Sequence, residues 1–391
     1  MDCRERILAA INHEEPDRVP VMSLILDQAT VDQVLGREPS DLIAILKDPA
    51  QRQPMKKLLN GSRFWNQMYY GTAAGTLESA IQLGFDAGWV LYTLMQLKSD
   101  RQSSLGVVWH DVFGRIFELV PDGKGGTTAS YTRALCGTEE KWEAWVERKA
   151  PLFDRHIKGA ARFHKKLFEE YSDRIYPMGF AGPGVFENSW QAMGFVEFTR
   201  FVYEQPEFIR RVIAFHTDLY LRHLEAVTQS GAEIVLAGDD LAQKTGPMLR
   251  PELIERLFGE SYRRIADLVH RKGKKLVFHS CGNVYPLLDK FVEWGFDGLI
   301  TLEPTAGMDL GKVRERVGHK LALIGNLDVS YLLVRGSREE VDQAVKQAIG
   351  AGARGGGYIL SASHSHAGVD PTRLEWMVEA AHRYGEYPIR V

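Results

Sequence analysis

Residues 275–304 read KLVFHSCGNVYPLLDKFVEWGFDGLITLEP, and the order of their textures decides the fold. The apolar run KLVFHSCG (275–282) gives way to VYPLLDKFVEWG, which has helical period, and the apolar run FDGLITLEP (296–304) follows at once. Strands apolar on both faces, with helices between them, belong to a parallel sheet covered by helices. Working outward, FDAGWVLY (85–92), RIYPMGFAG (174–182), AEIVLAGDD (232–240), LALIGNLD (321–328) and GYILSAS (357–363) repeat the pattern. Stretches such as PELIERLFGESYRRIADLVHRKG and REEVDQAVKQAIGAG lie between them. Several of these stretches end in glycine, a common helix terminator. Seven strands, with an eighth expected, favour an α/β fold of one kind: a single (β/α)₈ TIM barrel rather than an open doubly wound sheet.

Two additions to the barrel are expected. Residues 1–75 read as an N-terminal helical extension, in which RERILAAINH is an amphipathic helix that EEPDRVPV brings to an end. Each proline there disfavours helix at the residue before it. Residues 76–391 are then the barrel, interrupted by an inserted β-hairpin over 106–135 around the turn PDGKGG. Such a flap is expected near one end of the barrel.

Composition narrows the function. A formal net charge of −3, with no block of like charge, excludes nucleic acid and an anionic membrane surface as the main partner. No apolar run reaches the length of a membrane span, and MDCRERILAA lacks the plan of a signal peptide. Cys3, Cys136 and Cys281 are odd in number and scattered, so a disulfide framework is not expected and a reducing, cytoplasmic setting is.

Five strand ends carry residues that a core strand would not choose: Asp239-Asp240, His279-x-Cys281, Glu303, Asn326-x-Asp328 and His364-x-His366. In parallel barrels the loops at the carboxyl ends of the strands build the active site, so these groups converge. Residues i and i+2 of a strand point to the same side, which lets His279 and Cys281 reach one point in the mouth. Imidazole nitrogen and thiolate sulfur both bind Zn²⁺, and three protein ligands with an open position mark a catalytic zinc site. The third ligand is expected from His364 or His366, or as an oxygen of Asp239 or Asp240. The bland alternative is a buried cysteine packed as a small hydrophobe beside a histidine satisfied by a carbonyl. Asp239 and Asp240 point apart as neighbours on a strand, so at most one faces the axis as base, orienter or ligand, while the other caps a segment. Glu303 and Asn326 are candidate cofactor-binding residues whose plain alternative is loop stabilisation.

Three other features are set aside. GAGARG (350–355) has the G-x-G-x-x-G spacing but follows a helix and precedes a strand, the reverse of the dinucleotide fingerprint. No G-x-x-x-x-G-K-[ST] occurs. The aromatic run FWNQMYY (64–70) is read as packing, with a ligand-lining role as its alternative.

RERILAAINHEEPDRVPV, LGFDAGW, GDDLAQKTGPMLRPELI, VFHSCGNV, IGNLD and GGGYILSASHSHAGVDPTRLEWMVEAAHRYG together resemble the uroporphyrinogen decarboxylase superfamily over nearly the whole chain. The resemblance implies a single barrel with an N-terminal helical extension, and one of two chemistries. The decarboxylases are metal-free and grip substrate carboxylates with an R-Q-A-G-R-type arginine pair. Here the corresponding region reads VPVMSLILDQATVDQVLG, and the aspartate expected after the first strand is missing from LYTLMQL. The cobamide-dependent methyltransferases are similar to this chain in carrying H-x-C after a barrel strand and a third ligand after the last one. That branch implies metal ligands His279, Cys281 and His364, with His366 the alternative, where its coenzyme M enzymes usually have cysteine.

The function expected from this resemblance is zinc-dependent methyl transfer to or from a corrinoid protein, the small-molecule donor or acceptor being a thiol or a methyl ether. Asp239, Asp240 and His366 are its candidate catalytic residues: an aspartate to orient substrate or complete the metal shell, and His366 to protonate a leaving alkoxide. No corrinoid-binding D-x-H-x-x-G spacing occurs, so the corrinoid should arrive on a partner carrier protein. Barrels of this type also dimerise, which makes a homodimer an expectation. The rival readings are a decarboxylase acting on a porphyrinogen or smaller carboxylate, and a non-catalytic subunit of a methyltransfer complex.

Overall fold

A computed structural model describes residues 1–38, 62–92, 95–98, 108–111, 113–121, 127–364 and 368–391. Eight parallel strands close into a barrel: Val21–Ser23, Ala87–Leu91, Tyr176–Ala181, Ile234–Gly238, Lys275–His279, Gly298–Thr301, Ala322–Leu327 and Tyr358–Ala362. Each pairs with the strands before and after it in the chain, and Val21 and Met22 meet Leu360 and Ser361 to close the ring. Every run read as a strand is one. The eighth, Val21–Ser23, lies inside the 1–75 segment expected to be purely an extension, so FDAGWVLY forms the second barrel strand rather than the first.

The strands are buried on both faces because two cores enclose them. Met22, Trp89, Met178, Leu236, Val277, Ile300, Ile324 and Ile359 fill the lumen, where Ile7, Ala10 and Ile11 of the helix Cys3–Ile11 join them from below. Burying one such isoleucine contributes about 1.5–3 kcal/mol. The outer core packs the other strand faces against helices such as Glu139–Tyr171, Pro206–Thr228 and Pro251–Arg271. Among the described residues no helix is long and apolar enough to cross a membrane.

The lower end is tied by charge. Asp86, 1 % exposed, accepts from Arg6 Nη1 (2.6 Å), from Arg18 Nη1 and Nη2 (2.8 and 2.9 Å), and from the Val21 N–H (2.9 Å). Arg6 also donates to Asp17 through Nε and Nη2 (2.7 and 2.8 Å). The stretches RERILAAINHEEPDRVPV and LGFDAGW thus meet in one network that locks the N-terminal helix under the first two strands.

The insertion after the second strand is larger than a hairpin. Met95–Lys98, Val108–Asp111, Arg115–Pro121 and Thr127–Ala134 form a four-stranded antiparallel sheet in chain order. Its last two strands are the expected hairpin; residues 122–126 of the turn lie outside the described residues.

Candidate functional site

The fifth barrel strand ends at His279, and Cys281 lies two residues on. Their side chains meet: His279 Nε2 is 3.4 Å from Cys281 Sγ and 3.4 Å from Asp240 Oδ1. The same Asp240 oxygen accepts the Cys281 N–H at 2.9 Å, so one carboxylate orients both. Trp89 and Phe180, from the second and third strands, stand edge-on to the imidazole with ring centroids 5.1 and 6.0 Å away. Ser280 turns the other way and its hydroxyl accepts the Leu241 N–H at 3.0 Å, which binds the fourth strand's loop to the fifth's. Gly282 then turns with φ +82°; a Cβ there would lie 2.7 Å from the Ala242 carbonyl atoms, so the close approach of the two loops needs glycine.

The sixth strand supplies Glu303 through a strained exit. Thr301 and Leu302 have φ of 99° and 50°, a region that non-glycine residues enter at about 1–3 kcal/mol each and mostly at functional sites. Glu303 Oε1 accepts the Gly282 N–H at 3.4 Å. His364, exposed, follows the eighth strand. Two overlapping groups of ligand-type atoms result, each with its members within 4.8 Å of one another: Asp240, His279 and Cys281, and Cys281, Glu303 and His364. Cys281 is common to both.

Electrostatically this is a place for a cation. Burial, followed by Asp240 and Glu303, pushes the Cys281 thiol far above its ordinary range. Burial, Asp240 and Asp239 likewise push the Glu187 carboxyl well up. Burial opposes ionisation of Asp240, yet the His279 ring and the Cys281 N–H hold its carboxyl low. A divalent ion among the ligand-type groups would take the Cys281 thiol as thiolate and leave one positive charge to offset a neighbouring carboxylate. Sulfur, imidazole and carboxylate oxygen are the donor types that Zn²⁺ takes, and atoms within 4.8 Å of one another suit its bonds of about 2.0–2.3 Å. Both groups offer donors of these kinds, but His279 and His364 fall in different groups that share only Cys281, so the expected trio of His279, Cys281 and His364 is not itself drawn within 4.8 Å among the described residues.

The other residues singled out from sequence fall elsewhere. Asp239 is fully buried and does not line the cleft. Its Oδ1 accepts the Glu187 N–H (2.8 Å), and its Oδ2 accepts the Phe186 N–H (2.7 Å) and the Tyr262 hydroxyl (2.8 Å). It therefore caps the helix Val185–Met193. Asn326 donates to the Met308 carbonyl at 3.3 Å and also lies off the cleft. His366 lies outside the described residues. The cleft, about 360 Å³, is walled by Leu24, Tyr69, Trp89, Leu91, Phe117 and Phe180, so the run 64–70 contributes one lining residue, Tyr69. Sequence reading missed two polar lining residues. Glu187 accepts the Asp240 N–H at 3.3 Å, and Arg115 enters from the inserted sheet. Nothing in the local pattern of either sets it apart from an ordinary helix or strand residue.

With this geometry in view, the relatives are informative. Residues 124–384 match uroporphyrinogen decarboxylase (URO-D), and the chain belongs to that family. It is 28 % identical over 370 residues to the uroporphyrinogen decarboxylase of Shewanella halifaxensis, covering 87 % of this chain and 95 % of that one. It is also 28 % identical over 222 residues to that of Myxococcus xanthus, covering 55 % and 60 %. Among solved structures it is similar to a methyltransferase from Methanosarcina mazei, with a TM-score of 0.68 and 17 % identity, covering 98 % of this chain and 99 % of that one. That likeness is one of fold.

Proposed function

We propose that this chain is a zinc-dependent methyltransferase that moves a methyl group to or from a corrinoid carried by a separate protein. One observation supports the reading: at the barrel mouth the ligand-type atoms of Cys281 lie within 4.8 Å of those of His279 and Asp240 on one side and of Glu303 and His364 on the other. Bound there, zinc supplies Lewis acidity, which holds a substrate thiol as thiolate or polarises the oxygen of a methyl ether. Cys281 would hold the ion, with His279 and His364 reaching it from the two overlapping groups. Asp240 Oδ1 stands by the same His279 nitrogen that faces Cys281, so it would act as an oxygen donor beside the ion while accepting the Cys281 N–H. Asp239 acts one step further out, positioning the helix that brings Glu187 to the cleft. Trp89, Phe180 and Phe117 exclude water from the reacting atoms. His366 is the proton donor to a leaving alkoxide. The small-molecule partner is a thiol or a methyl ether, and the chain works in the cytoplasm.

The names of the curated relatives favour a second reading, decarboxylation of a porphyrinogen or smaller carboxylate. Among the described residues Asp240 and Glu187 line the cleft against one guanidinium, that of Arg115, a poor receptor for a polycarboxylate. A volume of about 360 Å³ is also at the small end of the roughly 300–1,000 Å³ typical of small-molecule sites. Elemental analysis separates the readings. Wild-type protein is expected to carry about one zinc per chain, Cys281→Ala none, and methyl transfer to added cobalamin should vanish with the metal. Metal-free protein that retains activity ends the proposal.

A further inference from the structure

The cleft carries charged groups of both signs. Cys281, His279, Asp240 and Glu187 line it together with aromatic side chains and with Arg115, which comes from the inserted sheet. The guanidinium is only 10 % exposed and is held on three sides. Nε donates to Asp111 Oδ2 at 2.5 Å, and the other Asp111 oxygen accepts the Arg115 backbone N–H at 3.0 Å. Nη1 donates to Gln191 Oε1 at 3.0 Å, and Gln191 in turn donates to Glu187 at 3.1 Å. Phe117 and Phe113 flank it, 5.0 and 5.7 Å from the guanidinium carbon to the ring centroids. Nη2 makes no hydrogen bond among the described residues, and it is not among the buried polar atoms that lack a partner. Arg115 itself lines the cleft.

We infer that Arg115 is the specificity-determining residue for the substrate's head group, and that the small-molecule partner is an oxyanion, such as a carboxylate, on a flat apolar body. This deepens the methyltransfer reading and rests on it for what happens at the other end of the molecule. A charge-assisted hydrogen bond to an oxyanion is the strongest use of a preoriented guanidinium edge. An anion beside Asp240 or Glu187 meets like charge, and Arg115 is the guanidinium among the cleft's described lining residues. Trp89, Phe180 and Phe117 line the same cleft and suit an apolar body, and Cys281 lines it with them.

The test is binding, measured by calorimetry on the full-length protein with zinc content assayed in the same preparations. The probes are 4-methoxybenzoate, benzenesulfonate and the uncharged 4-methoxybenzamide. Wild type should bind the carboxylate about 10-fold or more tightly than the amide, as a hydrogen bond to a charged group implies. Arg115→Met should bring that ratio to about one. Because Arg115→Met strands the buried Asp111 carboxylate, the double variant Asp111→Asn/Arg115→Met, which removes the pair together, should give the same ratio. Comparable affinity for benzenesulfonate extends the class to any oxyanion; its absence restricts it to carboxylates. Equal binding of acid and amide by wild type, no binding of either anion, or discrimination that persists without Arg115 overturns the inference. Protein that lacks zinc yet keeps an Arg115-dependent ratio sinks the methyltransfer reading and leaves the head-group assignment standing.

Discussion

The two ends of this barrel handle charge in opposite ways. At the lower end, Asp86 is met by two guanidinium groups and a backbone N–H, and Asp17 completes the set around Arg6. At the upper end, Asp240, Glu187 and Glu303 surround a thiol, and the guanidinium among the cleft's described residues is already paired with Asp111. The first arrangement is satisfied as it stands. The second sets acidic groups and a thiol around an open cleft. In barrels of this class the lower face serves stability and the upper face chemistry, and here the electrostatics alone separate them.

That contrast can be broken at either end. The largest effect is expected from Cys281→Ala: metal content and methyl transfer are lost while urea denaturation of metal-free protein changes little, since a small, partly exposed side chain has been shortened by one atom. At the lower end the pattern should invert. Asp86→Ala takes the buried acceptor from Arg6 Nη1 and from Arg18, while Arg6 keeps Asp17, and should cost about 3 kcal/mol in urea denaturation, with zinc binding per folded molecule intact. Arg18→Ala is milder, because Arg18 is 21 % exposed and Arg6 remains on Asp86; about 1–2 kcal/mol is expected once solvent screening is discounted.

A pH series sharpens the comparison, provided the barrel flank is subtracted first. Burial holds His164, His216 and His223 down to about 3, 3 and 4, and none of their ring nitrogens has a hydrogen-bond partner among the described residues. Each folded-state value lies below the unfolded one, so their stabilisation is present above about pH 6.5 and is lost as pH falls toward the folded values. The slope is about 1.4 kcal/mol per pH unit for each histidine. His216→Phe, among the rings of Trp145 and Phe215, should therefore reduce the acid slope between about pH 6 and 4 by that amount. An unchanged slope would show that His216 is already neutral in both states or charged in both.

What could be read from sequence follows from where the physical signal is local. Seven strands announce themselves because each is an apolar run of five to eight residues between helical stretches. Val21–Ser23 does not: three residues after Pro20 are too few to show a period, and their place in the ring is set by partners far along the chain. His279 and Cys281 are legible because i and i+2 share a side whatever the register. Glu187 and Arg115 are not, since one sits in the first turn of a helix and the other on a strand of the insertion, and only tertiary folding brings them to the mouth. Asp239 and Asp240 show the middle case. Their opposed directions follow from the strand, but which of them meets the Val185–Met193 helix depends on how that helix lies.

The pairing of Val21 and Met22 with Leu360 and Ser361 has a consequence for how the molecule comes into being. The ring is sealed by the longest loop in its topology, joining a strand made first to one made last. Contacts so distant in sequence come late, because the entropy of closing the loop is spent before they give any return. On the ribosome the opening strand must wait, its edge unpaired on one side, until nearly the entire polypeptide has emerged. The helix Cys3–Ile11, anchored through Arg6 to Asp86 just before the neighbouring strand, gives that waiting edge a fixed position in the meantime.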